Sequence, residues 1–273
     1  MIRYALCNEV LRHLRWADAC ALLAQAGYAG VELAPFTFAE RVEQLDAHAR
    51  AEIRDTAQRY GLHIVGLHML LWSPDGMHAT HPDPEVRART AEYLVALARF
   101  CAEVGGQVMV FGSPKQRAAI PPLTPDAAAQ LWLETLQPAL RVCQQEGITL
   151  LLEPLPETNV VQRLGEAVAL VQQTHHPNLR TMLDVKSALA ETDDVPALIR
   201  QYAPYIAHVH LNDSNLRAPG YGATDFAPIL SALRAVGYTG WTSLEPFDYS
   251  PDPETMTREA LRYLKGLSRP VRS

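Results

Sequence analysis

Short apolar runs recur along the chain at a nearly even interval, beginning near Ile2, Gly30, Leu62, Gln107, Ile148, Leu179, Ile206 and Thr239. Most are rich in Val, Ile, Leu or Thr and are too short for helices, so the pattern predicts eight strands. Between them lie stretches with helical periodicity, as in residues 86–104, 126–146 and 226–236. Gly27, Gly61, Gly147 and Gly237 each precede the next run, where a glycine closes the preceding helix. Thr124-Pro125-Asp126 supplies a capping hydroxyl and a first-turn proline, and Thr224-Asp225 does similar work later. Eight strands alternating with eight helices, at a mean period of about 34 over 273 residues, predict an α/β fold. The expected form is a single (β/α)8 barrel of the TIM type, occupying residues 1–273 as one domain. A doubly wound open sheet would normally carry a Gly-x-Gly-x-x-Gly turn after its first strand, and Cys7-Asn8-Glu9-Val10-Leu11 carries none.

A barrel has a geometric consequence: ligand-type residues should collect at the carboxyl ends of the strands, on one face. Two runs end in the same tripeptide, Leu-Glu-Pro, at Glu153-Pro154 and Glu245-Pro246. Proline cannot continue the hydrogen-bonded ladder, so each glutamate marks the mouth of a strand. Between them Asp184 ends the sixth run, and His208 and His210 alternate near the end of the seventh. Glu32, His68 and Phe111-Gly112 close the second, third and fourth. Positions 153, 184, 210 and 245 are 31, 26 and 35 residues apart, a spacing that suits one ligand per successive strand. His208 and His210 share a face, and His210, nearer the carboxyl end, is the expected ligand with His208 behind it.

Three carboxylates in one small space repel each other and resist ionisation unless a cation neutralises them. Together with one imidazole they form a hard donor set, suited to octahedral Mn²⁺, Mg²⁺ or Co²⁺ with open positions rather than to a closed structural zinc site. One divalent ion per chain, Mn²⁺ first, is therefore expected on Glu153, Asp184, His210 and Glu245. Such an ion can chelate neighbouring oxygens of an α-hydroxy ketone and stabilise the enediolate formed when the adjacent carbon loses its proton. Glu153 and Glu245 are the natural acid–base pair, help that is typically worth roughly 10²- to 10⁴-fold.

Charge and composition narrow the partners. The formal net charge is -6 and no block of Lys or Arg stands out, which disfavours a nucleic-acid track and an apurinic-endonuclease reading of the same ligand types. Cys7, Cys20, Cys101 and Cys143 form no Cys-x-x-Cys pair and are expected to be small core residues in a reducing compartment. The first residues read directly into a strand without the apolar stretch of a signal peptide, and no run approaches the roughly 20 apolar residues that span a bilayer. The expectation is a soluble cytoplasmic protein whose partner is a small α-hydroxy ketone, with no nucleic acid and no membrane. The longest irregular segment, residues 71–84, follows the third strand on the face of the site and carries Trp72, His78 and His81. It reads as a lid or pocket wall.

At these residues the chain resembles the sugar phosphate isomerase/epimerase superfamily of xylose-isomerase-like barrels, in the branch holding ketose 3-epimerases and hydroxypyruvate isomerase. The likeness rests on LEP at Glu153, LD at Asp184, HVHLNDSN at 208–215, PGYGATDF at 219–226 and SLEPF at 243–247, and it covers nearly the whole chain. It implies that Glu153, Asp184, His210 and Glu245 ligate the metal, and that Glu153 and Glu245 also exchange the proton. It further implies that Arg217 reaches substrate hydroxyls, that Glu157 is a second glutamate after the fifth strand, and that a homodimer or homotetramer forms. Three positions depart from the epimerase pattern. Ser187, with Lys186 beside it, stands where a substrate-binding histidine follows the metal aspartate, Arg217 lies one residue further from His210, and Glu157 lies two closer to Glu153. The sugar therefore need not be a free ketose, and Lys186 is placed to meet a carboxylate, phosphate or keto oxygen. His68 and Trp72 are expected to form a polyol-stacking wall. No glycine-rich phosphate cradle is evident, which favours an unphosphorylated substrate. Aldose–ketose isomerisation and dehydration of a keto-inositol are alternative outcomes of the same enediolate.

Overall fold

Eight parallel strands run in sequence order around a closed barrel in the computed structural model, which describes residues 2–267. They are β1 (Arg3–Cys7), β2 (Gly30–Leu33), β3 (His63–Leu67), β4 (Val108–Phe111), β5 (Thr149–Leu152), β6 (Leu179–Asp184), β7 (Ile206–Leu211) and β8 (Trp241–Leu244). Pairing of Arg3 with Trp241 and of Leu6 with Leu244 joins β8 back to β1 and leaves no free sheet edge. The (β/α)8 barrel expected from the apolar runs is the fold observed.

The helices are α1 (Trp16–Ala26), α2 (Ala47–Arg59), α3 (Pro84–Val104), α4 (Pro125–Glu146), α5 (Leu164–Thr174), α6 (Val185–Glu191), α7 (Val195–Tyr202), α8 (Phe226–Ala235) and α9 (Pro253–Leu267). Among the described residues this is one α-helix more than the simple repeat predicts. The extra one arises between β6 and β7, where Thr192 adopts an extended backbone and Asp194 caps a new helix through its bond from the Ala197 N–H. Thr124 caps α4 as expected. Asp225 rather than Thr224 caps α8, because the Thr224 hydroxyl is spent on Asp213 Oδ1 at 2.7 Å.

Side chains alternate along each strand, so one set packs outward against the helices and the other fills the barrel. Leu150 and Leu152 join the large core shared with the helices, whereas Leu151 packs with Val110 and Met182 in a small cluster of the opposite set. Ala5, Val65 and Trp241 form a second such cluster. Continuing the inward set toward the carboxyl ends leads from Leu151 to Glu153, from Met182 to Asp184, and from Trp241 through Ser243 to Glu245. Apolar layers thus plug the lower barrel, and the polar cluster lies directly above them. All four cysteines are buried and unpaired, and none of the described helices is long and apolar enough to cross a membrane.

Candidate metal centre and active site

Four strand ends deliver one buried cluster. Asp184 and His210 are register partners on β6 and β7, and His210 is in turn opposite Ser243 on β8. Glu153 and Glu245 each lie one residue beyond a strand, yet their N–H groups still donate to Phe111 and Leu211 carbonyls, at 3.3 and 3.2 Å. The side chains of Glu153, Asp184, His210 and Glu245 are all buried, and one donor atom from each falls within 4.8 Å of the others.

The surroundings fix this cluster from several sides. His210 Nδ1 faces Glu245 Oε2 at 3.0 Å and Glu153 Oε1 at 3.5 Å, while its Nε2–H donates to Glu32 Oε1 at 3.3 Å. His208 donates from Nε2 to the other oxygen of Glu32 at 2.8 Å, so one carboxylate orients both rings. Asp184 accepts from the Asn212 amide at 2.6 Å and from the Ser187 N–H at 2.7 Å. Glu245 Oε1 accepts from His68 Nδ1 at 3.0 Å, and His68 Nε2 donates to Glu9 Oε2, also at 3.0 Å. The backbone carbonyl of Glu153 accepts from Arg117, a wholly buried guanidinium that also donates to the carbonyls of Gly112 and Val160 and lies 4.6 Å from the centre of the Trp132 ring. Gly112 leaves the room that the Glu153 carboxylate occupies, since a Cβ there would lie 2.0 Å from Glu153 Oε2.

Protonation preferences follow from these neighbours. Burial raises the Glu153 carboxyl well above the usual range, and the charges of Glu245 and Asp184 add to the effect against His210. Burial and Glu245 likewise raise Asp184. Burial alone would raise Glu245 too, but His210 and His68 outweigh it and hold Glu245 below the ordinary range. Burial opposes a charge on His210, yet Glu245 and Glu32 overcome it and drive the ring strongly toward imidazolium. A cluster that forces protons onto a carboxyl and an imidazole at once is short of positive charge. Three carboxylates and one imidazole, already gathered and supported from behind, fit a divalent cation on the chemistry of the donors.

Above the cluster opens a cavity of about 490 Å³, whose lining includes Glu153, Asp184 and Glu245 at the floor and Met69, Trp72, Lys186, Glu157, Leu216 and Phe247 higher up. Lys186 Nζ pairs with Glu157 across this cavity; burial lowers the ammonium's tendency to hold its proton, but that pair outweighs it. Trp72 stacks on Phe36, with ring centres 5.4 Å apart.

The family model for xylose isomerase-like TIM barrels matches residues 20–267. The chain belongs to that family. Within it, similarity extends to the D-psicose 3-epimerase of Ruminiclostridium cellulolyticum, 31% identical over 117 residues, an alignment covering 42% of this chain and 40% of that protein. With that relative the chain therefore aligns over well under half the length. The L-ribulose 3-epimerase of Mesorhizobium japonicum is 26% identical over 246 residues, covering 87% of this chain and 78% of that one. Among solved structures, D-psicose 3-epimerase from Clostridium cellulolyticum H10, crystallised with D-tagatose, superposes with a TM-score of 0.84 at 18% identity, covering 97% and 99% of the two chains. At that identity the superposition speaks for the fold.

Measured against the expectations from sequence, the xylose isomerase-like barrel brings Glu153, Asp184, His210 and Glu245 together, with Trp72, Glu157 and Lys186 on the cavity above them. Two expected substrate contacts lie elsewhere. His68 is 1% exposed and engages Glu245 and Glu9 rather than forming a wall with Trp72. Arg217 turns away from the cavity, donating to the carbonyls of Tyr221 and Ser250 and stacking over the Tyr221 ring. The neighbouring Leu216, held at a φ of 67°, faces the cavity in its place. Ser187 lines a separate small pocket behind Asp184. Glu9, Asn212 and Arg117 escaped sequence reasoning as site residues. Asn212 sits inside the HVHLNDSN motif and carried a signal, whereas Glu9 and Arg117 carried none.

Proposed function

We propose that the chain is a divalent-metal-dependent carbohydrate isomerase or epimerase that moves a proton at the carbon beside the carbonyl of a ketose or related α-hydroxy ketone. The observation that carries this reading is the convergence of four donors within 4.8 Å, three of which, Glu153, Asp184 and Glu245, line one cavity. A Mn²⁺, Mg²⁺ or Co²⁺ ion held by Glu153, Asp184, His210 and Glu245 supplies a Lewis acid for the substrate's oxygens. Glu245, kept ionised by His68 and His210, is the carboxylate ready to take a proton, and Glu153 is the carboxyl that returns one. In the reverse direction the roles exchange. The Glu32 carboxylate fixes the His210 tautomer with Nδ1 toward the cluster. Lys186 and Glu157, paired across the cavity, present a cation and an anion to substrate hydroxyl or keto oxygens, and Trp72 offers an exposed aromatic face to the C–H side of a sugar. The epimerase names of the aligned relatives favour inversion at carbon 3 of a ketose.

The test is incubation in D₂O with a panel of ketoses, keto-acids and keto-inositols, reading by NMR which carbon acquires deuterium. Deuterium at the carbon beside the carbonyl, lost after dialysis against chelator and restored by Mn²⁺ or Co²⁺, is the expected outcome. Full activity in a rigorously metal-free sample would sink the chelation mechanism. Glu153→Gln and Glu245→Gln should each fall below a tenth of wild-type turnover, and retention above that level would show that the proton pair is misassigned.

A further inference from the structure

The two glutamates of the acid–base pair occupy unequal surroundings. Glu245 belongs to a continuous buried chain in which carboxylates and imidazoles alternate, running Glu9, His68, Glu245, His210, Glu32, His208. Its five contacts measure 3.0, 3.0, 3.0, 3.3 and 2.8 Å in that order. The chain ends in two buried polar atoms with no hydrogen-bond partner among the described residues, Glu9 Oε1 and His208 Nδ1. Glu153 has no such backing among the described residues: its carboxylate faces His210 Nδ1 at 3.5 Å, and its Oε2 lies over the gap left by Gly112.

We propose that Glu9 and His68 are positioning residues that grip Glu245 from behind, making Glu245 the fixed member of the pair and Glu153 the mobile one. This rests on the proposed metal-dependent proton transfer and deepens it. The contact from His210 to Glu245 uses Nδ1, the nitrogen offered to the cation. His68 instead bonds Glu245 Oε1 without competing for a ligand position, and so leaves Oε2 to the cluster. Glu9 completes the grip by accepting from the far nitrogen of the same ring, which fixes the imidazole plane against rotation. A carboxylate anchored at one oxygen presents the other in one direction only. The entropy of orienting it is then spent on folding rather than at each turnover.

The experiment compares wild type with His68→Ala, His68→Gln and Glu9→Gln by titrating Mn²⁺ alone in a calorimeter, recording the EPR signal of the bound Mn²⁺, following thermal unfolding, and measuring kcat and KM on the substrate found by deuterium exchange. His68→Ala should weaken Mn²⁺ binding by roughly 10- to 100-fold, alter the EPR signal and lower kcat with KM held within about threefold. His68→Gln, whose amide can still donate to Glu245, should recover most of both losses, and Glu9→Gln should fall between them. Unchanged Mn²⁺ affinity and kcat in His68→Ala would overturn the proposal. So would equal losses in His68→Ala and His68→Gln that track a fall in Tm, which would reduce His68 to packing. A second Mn²⁺ equivalent in wild type that disappears in His68→Ala would make Glu9 and His68 ligands with Cys7, and would overturn it also. Should His68→Ala fail to fold, the two glutamine variants decide the question. Wild-type protein that binds Mn²⁺ but exchanges deuterium into no keto-sugar would refute the reaction alone, because the affinity and EPR comparisons still judge the grip.

Discussion

Glu153 and Glu245 share the tripeptide Leu-Glu-Pro, yet burial and like charge push one carboxyl up while two histidines hold the other down. The difference predicts unequal costs for the same substitution. In metal-free protein Glu153→Gln replaces a carboxyl that already favours its proton, so stability should stay within about 0.5 kcal/mol of wild type. Glu245→Gln takes one carboxylate partner from each of His68 and His210, leaving them Glu9 and Glu32, and should cost about 2 kcal/mol, a fall of several degrees in Tm by calorimetry. Equal melting temperatures would refute the assignment. Gly112→Ala offers a second check, since the new methyl would occupy the place of Glu153 Oε2. That carboxylate is the free end of a side chain and can swing aside, so the fold should survive while kcat drops on the order of 10²-fold. Retention of full kcat would show that Glu153 does not act from its observed place. The four ligand positions were legible because each interrupts an apolar run with a charged or ring side chain. The inequality of the glutamates was not, since it depends on His68 and Glu9, whose contacts span 177 and 59 residues of chain.

Strands of four to six residues were visible as apolar runs because their inward and outward sides are both buried, a requirement broken toward the carboxyl ends by Glu32, Asp184, His208, His210 and Ser243. Connections obey other forces. The turn after β7 was expected to aim Arg217 at the substrate, but the carbonyls of Tyr221 and Ser250 capture the guanidinium and the left-handed Leu216 swings the chain. No local pattern announces such a capture. The turns after β4 and β5 are joined in a similar way by Arg117, which donates to the carbonyls of Gly112, Glu153, Val160 and Val161; burial lowers its pKa to about 9. Arg117→Ala should strand those carbonyls in a dry site and lower stability by about 3 kcal/mol or more, read as a lower midpoint in urea. Because the same contact fixes the Glu153 backbone, Mn²⁺ affinity should fall with it. A variant as stable as wild type would show that water takes over these carbonyls.

Closure of β8 onto β1 makes the barrel one cooperative body, so a cation bound at its mouth should raise the melting temperature of the whole. The size of that rise should depend on pH. The raised carboxyls of Glu153 and Asp184 hold protons that the unfolded chain releases above the ordinary carboxylate range of about 4. Their contribution is therefore fully present below that range and is lost as pH climbs through the folded values. His68, where Glu9 and Glu245 overcome burial and push the ring up to about 10, acts in the same direction, its share fading above about 6.5. The metal-free protein should thus be less stable at pH 8 than at pH 5.5, and Mn²⁺, which replaces those protons, should raise Tm more at pH 8. Equal Mn²⁺ shifts at both values would contradict the cluster's charge balance. The mouth also carries its own optical reporter. Trp72 is 62% exposed, whereas Trp132 and Trp241 are buried and Trp16 is partly so. A molecule settling over the cluster would strip water from one indole of the four, so a blue shift in the native emission spectrum would follow occupancy without dye, label or coupled assay.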